Sequence, residues 1–252
     1  MLELEGRIAV VTGGASGIGA SCAIALREAG AIAVVWDVAT GADVFCDAGD
    51  ESSVAAALVE TEARFGTPSL LIASAGVSLP GRIVDLPVER WDRTMSINLR
   101  GAFLGVQAIA RRMIETGLDG SLLLVSSVNG GIADPGLSAY SASKAAVDHF
   151  ARVAAVELGP HGIRVNSIAP GPTSTPMVAH LSTRPEWVEA TSELTPLRRI
   201  GTPDLIAEAA LNILRSEWIT GLTVRADGGA ALMTARGGMR AKGYPADAPE
   251  SV

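Results

Sequence analysis

The residues Thr12-Gly13-Gly14-Ala15-Ser16-Gly17-Ile18-Gly19 constrain the fold more tightly than any other stretch of the chain. They follow an apolar run, Ile8 to Val11, and open a helical pattern through Cys22, Leu26 and Ala29. A strand that passes into a helix over closely spaced glycines leaves backbone N–H groups at a helix N-terminus, where the helix dipole favours an anion. That order suits a dinucleotide pyrophosphate. Asp37 ends the next apolar run, Ala33 to Trp36, where a carboxylate accepts a hydrogen bond from a ribose 2′-hydroxyl.

Further strand-like runs are Leu70 to Ala75, Ser121 to Val125, Arg164 to Ala169 and Leu222 to Ala226. They alternate with helical patterns over Ser52 to Phe65, Glu89 to Ile114, Ser141 to Leu158 and Pro203 to Leu214. Such alternation predicts a parallel sheet with helices on both faces, and no Pro/Ser linker divides it. The expected fold class is α/β: a single doubly wound Rossmann domain over residues 1–233 with a parallel seven-stranded sheet. Only Val38 to Asp43 separate Asp37 from the strand-like Val44-Phe45-Cys46, too few for an ordinary crossover helix. The second crossover is therefore expected to be a loop or a single turn.

The 252-residue chain has a formal net charge of −7 and no run of Lys or Arg, which argues against nucleic-acid or anionic-membrane partners. Residues Met1 to Arg7 are too acidic for a signal leader, and no apolar stretch is long enough to span a bilayer, so a cytoplasmic protein is expected. Cys22 and Cys46 complete no metal-ligand spacing and read as small core residues. His149, His161 and His180 stand apart from one another and from any Cys, so no metal site is expected.

A second constellation is Tyr140-Ser141-Ala142-Ser143-Lys144, with Ser127 at the end of the Leu122 to Val125 run. Tyr and Lys four apart share one helix face, which brings an ammonium near the phenol. A positive neighbour favours the phenolate, so a lowered Tyr140 pKa suited to general acid/base work is expected. Ser127 is then placed to hold a substrate oxygen.

Together with the glycine turn, these residues resemble the short-chain dehydrogenase/reductase family, classical type, over roughly Leu4 to Gly229. The resemblance implies hydride transfer between a nicotinamide cofactor and a secondary alcohol or ketone. Ser127, Tyr140 and Lys144 match the family's catalytic Ser, Tyr and Lys. Asn98, in Ser96-Ile97-Asn98-Leu99, matches the Asn that completes a tetrad and holds a proton-relay water. It further implies that Lys144 binds the nicotinamide ribose, and that Asp47 with Ala48 holds the adenine. Ala75 and Gly76 would pass the adenosine ribose. Asn166 to Thr175 resembles the segment that clamps the carboxamide, with Pro170, Gly171, Thr173 and Thr175 in contact. Ala73-Ser74-Ala75-Gly76 stands where the family usually has Asn-Asn-Ala-Gly, so bonds made by those two Asn side chains are expected to be missing.

A carboxylate at Asp37 accepts from a free 2′-hydroxyl and repels a 2′-phosphate, and Ser16 offers no positive charge, so NAD is the expected cofactor. Two other readings stay open: an NADPH-dependent 3-oxoacyl reductase and a non-catalytic cofactor-binding scaffold. The segment from Met177 to Ile200 corresponds to the family's variable substrate cover. Its Met177, Val178, Leu181, Trp187, Leu194 and Leu197 are candidates either for an apolar pocket or for helix core, with Leu79, Asn129 and Leu137 as further walls. A homotetramer is expected, with Met239, Tyr244 and Pro245 of the tail 234–252 packing on a partner subunit.

Overall fold

Each of the expected apolar runs forms a strand, and in the inner ones β-branched and leucine side chains fit a pleat buried on both sides. The structure is a computed structural model that describes residues 1–233. The strands are β1 (Ile8–Thr12), β2 (Ile32–Asp37), β3 (Val44–Phe45), β4 (Leu70–Ala73), β5 (Gly120–Val125), β6 (Ile163–Pro170) and β7 (Thr223–Ala226). They form one seven-stranded parallel sheet in the order β3-β2-β1-β4-β5-β6-β7. The expectation about the tail residues Met239, Tyr244 and Pro245 lies outside the described residues.

Alternate side chains divide the core into two layers. Val10, Val34, Leu71, Leu122 and Val165 face one side, against α2 (Glu51–Phe65), α4 (Gly101–Thr116) and α5 (Ser138–Leu158). Val11, Val35, Ile72, Leu123 and Ile168 face the other, against α1 (Gly17–Glu28) and α8 (Pro203–Arg215). Cys22 and Cys46 are free and buried in these layers, and burial pushes each thiol up to about 12.

The link from β2 to β3 is a loop, as its length dictates, and β3 pairs only through Trp36–Val44 and Asp37–Phe45. Asp43 secures this short crossover: its Oδ2 accepts from Val35 N and Arg27 Nη2, each at 2.8 Å. The run Glu89 to Ile114 departs from one uniform helix. It is α3 (Val88–Met95), a π turn (Ser96–Arg100) and then α4, with Gly101 N donating to Ser96 O five residues back. Strand β4 ends at Ala73, two residues short of the expected Ala75, because Ser74 and Ala75 bend back to bond Thr12. Among the described residues, no helix is long and apolar enough to cross a membrane.

Trp36, the largest fully buried side chain, precedes Asp37, and its Nε1 donates to Thr61 Oγ1 of α2 at 2.8 Å. Thr61→Val keeps the shape but strands a buried donor, which costs about 1–3 kcal/mol. Urea unfolding is expected to show a lower midpoint with an unchanged slope. A midpoint equal to wild type would show that this bond does not help hold α2 to the sheet.

Candidate active site

The sheet order reverses between β1 and β4, and a cleft of about 900 Å³ opens at the carboxyl ends of the strands there. Parallel α/β sheets bind ligands at such a point because the loops diverge and helix N-termini converge. Gly13, Ser16, Gly17 and Ile18 line one end of the cleft, together with Asp37, Asp47 and Ala48.

The glycine turn is sterically required. Gly13 has φ +65°, and a Cβ there would lie 2.7 Å from Ala75 Cα. A Cβ on Gly19 would lie 2.2 Å from Gly13 O. Gly19 is buried and is not part of the cleft wall; its missing Cβ lets α1 pack against the turn. Ser16 is the N-cap of α1 but makes no side-chain cap, and the first turn holds no acidic residue. The opening N–H groups of α1 are thus free of a side-chain cap and suited to a pyrophosphate. Asp37 stands across the turn, where its carboxylate accepts from Ala15 N and Ala39 N, each at 3.0 Å. Asp47 Oδ1 accepts from Gly49 N at 3.0 Å, while its backbone N donates to Ser53 Oγ.

Ala75, Gly76, Pro170, Gly171, Thr173 and Thr175 line the middle of the cleft. The Ala73-Ser74-Ala75-Gly76 turn is braced without the two Asn side chains: Ala75 N donates to Thr12 Oγ1 at 3.2 Å, and Ser74 N to Thr12 O at 3.2 Å. Asn98, from the π turn, takes over the next residue. Its Oδ1 accepts from Val77 N at 2.8 Å, and its Nδ2 donates to Val77 O and Ser143 Oγ, each at 3.0 Å. Both amide protons of Asn98 are committed, the residue is 2 % exposed, and it is not part of the cleft wall. Its side chain is therefore a brace between the turn after β4 and α5.

Ser127, Tyr140 and Lys144 come together at the far end. Ser127 follows β5 and caps a 3₁₀ turn at Val128–Gly130, its Oγ accepting from Asn129 N at 3.2 Å. Lys144 is buried. Its Nζ donates to Val125 O at 2.8 Å and lies 5.7 Å from the centre of the Tyr140 ring. Burial drives the Lys144 pKa down to about 8, with Asp148 one turn on pulling it back up.

Tyr140 runs against the expectation. Burial pushes its phenol above the ordinary value, and only the Ser127 hydroxyl opposes that rise. The ammonium is directed to Val125 O, so it does not lower the phenol in this arrangement.

Of the candidate substrate residues, Asn129, Leu137, Met177, Leu181 and Trp187 line the cleft, as do Val178 and Leu194. Leu79 does not; Ser78 and Pro80 on either side of it do. Leu197 is 64 % exposed and also lies outside the wall. Met177 to Leu194 belong to a 3₁₀ turn at Pro176–Val178, α6 (Ala179–Ser182), α7 (Pro185–Glu193) and the residue after it. Sequence reasoning missed Ile132, His180 and Thr191 as wall residues. Thr191 was open to detection, since it stands four residues after Trp187 and so shares its helix face.

A family model described as enoyl-(acyl carrier protein) reductase matches residues 13–231. The cis-4-hydroxycyclohexanecarboxylate dehydrogenase of Sinomonas cyclohexanicum is 40 % identical over 243 residues, covering 88 % of this chain and 96 % of that one. The crystal structure of a short-chain type dehydrogenase/reductase from Mycobacterium marinum superposes with a TM-score of 0.85 at 32 % identity, covering 90 % of this chain and 96 % of that one. A gluconate 5-dehydrogenase from Burkholderia cenocepacia J2315, solved with NADP and tartrate, gives a TM-score of 0.85 at 30 % identity, covering 90 % and 96 %. The chain belongs to the short-chain dehydrogenase/reductase family. It is an oxidoreductase of the kind that binds a nicotinamide cofactor and acts on CH–OH groups.

The raised Tyr140 phenol has a direct optical test, because Tyr140 and Tyr244 are the only tyrosines. The ultraviolet titration of wild type minus Tyr140→Phe, without cofactor, should show phenolate forming only above the ordinary value of about 10. A midpoint below 10 would mean that Lys144, not burial, governs the phenol.

Proposed function

We propose that this chain is an NAD-linked dehydrogenase that interconverts a cyclic secondary alcohol and its ketone. The observation that carries the reading is that Ser127, Tyr140 and Lys144 line the same cleft as the glycine turn and Asp37. The residues present fit a dinucleotide: positive-φ glycines at Gly13 and Gly17, uncapped N–H groups on α1, and a carboxylate at the end of β2. When bound, the nicotinamide supplies a hydride acceptor at C4 for the carbinol carbon. Ser127 holds the substrate oxygen, and Tyr140 Oη takes the hydroxyl proton during oxidation or returns it during reduction. Lys144 binds the nicotinamide ribose, a role that requires its ammonium to leave Val125 O in part. With the Asn98 side chain committed to Val77 and Ser143, a relay water at this position would be held by the main chain of the π turn.

Asp37 supports NAD over NADP, since its carboxylate accepts from a 2′-hydroxyl and repels a 2′-phosphate. The same argument disfavours an NADPH-dependent 3-oxoacyl reductase, and the assembled Ser, Tyr and Lys disfavour a non-catalytic scaffold. The cyclic substrate is suggested by the Sinomonas relative, named for a ring alcohol, and by the apolar wall of Leu137, Leu181 and Trp187. A homotetramer in the cytoplasm completes the proposal. Exposed Phe103 on α4, exposed Val153 and Val156 on α5, and Trp218 before β7, 99 % exposed, are apolar surfaces suited to two-fold contacts.

Tyr140→Phe should bind NAD nearly as wild type does and lower kcat by about 10²- to 10⁴-fold, the usual worth of a positioned acid/base. NADH formation from a panel of ring alcohols, such as cyclohexanol, tests this, and full activity in the variant would overturn the mechanism. For cofactor choice, kcat/KM should favour NAD in wild type. Asp37→Ser with Val38→Arg should narrow or reverse that preference, and equal wild-type values for NAD and NADP would remove Asp37 from its assigned role.

A further inference from the structure

Two polar groups on the cleft-facing side of α7 lack partners. Arg184 is the N-cap of α7, with its carbonyl accepting from Trp187 N and Val188 N, each at 3.1 Å, and its amide donating to Leu181 O at 2.9 Å. Its backbone is fixed, yet its guanidinium makes no hydrogen bond or ion pair among the described residues, although the residue is half-buried. Thr191 is 2 % exposed, and its Oγ1 has no hydrogen-bond partner. Arg184, Trp187 and Thr191 are spaced i, i+3, i+7, which places them on one helix face, and all three line the cleft that holds Ser127 and Tyr140.

A half-buried cation that lines a cleft without a counter-charge is free to take up an anion, and a buried hydroxyl without a partner is unfavourable. The first deficit is removed when a ligand brings an anion to Arg184, whereas the Thr191 hydroxyl is closed off behind the cleft wall. The other charges of the cleft do not meet this need. Asp134 is taken by Asn129 Nδ2 at 2.9 Å, Lys144 by Val125 O, and Arg93 and His180 are exposed. Asp37 and Asp47 are anions and bond backbone N–H groups.

We propose that the substrate carries a carboxylate bound by Arg184, with an apolar, ring-sized body beneath Trp187 and its secondary hydroxyl at Ser127 and Tyr140. This rests on the dehydrogenase reading above. A guanidinium grips a carboxylate through two parallel N–H···O bonds, which fixes orientation as well as affinity. Thr191, about 10 Å further along the helix axis, marks the other end of the seat. Arg184 is thus a specificity-determining residue that selects hydroxy acids over neutral alcohols.

The test uses cyclohexanecarboxylate, which has no hydroxyl to oxidise, and its neutral counterpart cyclohexanecarboxamide, each titrated calorimetrically into the enzyme–NADH complex. Wild type is expected to bind the carboxylate about 10- to 100-fold more tightly than the amide, the range of a hydrogen bond to a charged group. Arg184→Met should abolish that preference and Arg184→Lys should retain part of it, both with unchanged melting temperature and NADH affinity. Equal binding of acid and amide by wild type, or binding of neither, overturns the proposal, as does an Arg184→Met variant that keeps the preference. Weakened NADH binding in Arg184→Met also overturns it, by assigning the guanidinium to the cofactor's diphosphate. Tyr140-dependent NADH formation from a panel holding both ring hydroxy acids and neutral ring alcohols reports separately on the dehydrogenase reading. Its presence without a carboxylate preference defeats the substrate assignment alone, and its absence with every alcohol defeats the underlying reading.

Discussion

The ammonium of Lys144 is buried in the protein and held by a single strand-end carbonyl, Val125 O, and most of the site is arranged around that fact. A charge removed from water must be compensated nearby, or it is lost by deprotonation. Here the compensation is partial, which is why the Lys144 pKa falls to about 8 while the group remains able to carry a proton near neutrality. Around it, a Cβ on Gly76 would lie 3.5 Å from Nζ and 3.3 Å from Asn98 Oδ1. Strand β5, the turn after β4, the π turn and α5 therefore meet at one charge. A side chain at Gly76 would push against both polar groups at once.

The second support for that charge comes from behind α5. Asp148, one turn beyond Lys144 and 9 % exposed, accepts from Ser167 Oγ of β6 at 2.7 Å, and Ser167 Oγ in turn accepts from Thr223 Oγ1 of β7 at 2.9 Å. A Cβ on Gly130 would lie 2.9 Å from Asp148 Oδ2 and 3.1 Å from Ala145 N, so the 3₁₀ turn that Ser127 caps can lie flat on α5 only because Gly130 has no side chain. This carboxylate thus does two things: it raises the Lys144 pKa against burial, and it registers α5 against two strands. Ser127, Tyr140 and Lys144 are placed by that registration and not by contacts among themselves alone.

The parts of this arrangement that were legible in the sequence are those set by local rules. Strand-turn-helix order around Gly13 to Gly19, two-sided apolar runs and the shared face of Tyr140 and Lys144 are all local, and each appears where expected. What was not legible depends on long-range burial. The rise of the Tyr140 phenol follows from how deeply α5 is enclosed, which no spacing reports, and the role of the Asn98 side chain depends on Val77 and Ser143 reaching it from elsewhere. Leu79 was misplaced for a similar reason: in a turn between strand and helix, periodicity does not say which of three neighbours faces the cleft. The π turn was hidden because Glu89 to Ile114 contains no proline, its Gly101 and Gly105 are single glycines that a helix tolerates, and the one-residue excess shows only in the hydrogen-bond register.

The substitution of Ala73-Ser74 for the family's usual Asn pair has a consequence for how the two ends of the cleft are joined. With no Asn side chains to tie the turn after β4, the tie is made from β1: Thr12 supplies both its carbonyl, to Ser74 N, and its hydroxyl, to Ala75 N. The next residue is Gly13, whose missing Cβ admits Ala75 Cα at a separation no side chain would allow. The glycine turn and the turn after β4 are thus fastened at one two-residue joint. Asn98 then carries the same turn, through Val77, to the π turn and to Ser143 on α5. A continuous line of hydrogen bonds, most of them made by the side chains of Thr12, Asn98 and Ser143, therefore runs from the glycine turn to the helix that bears Tyr140 and Lys144. Displacement at Thr12 would be felt at both ends of the cleft, because Ala75 and Val77 belong to one short, doubly held segment.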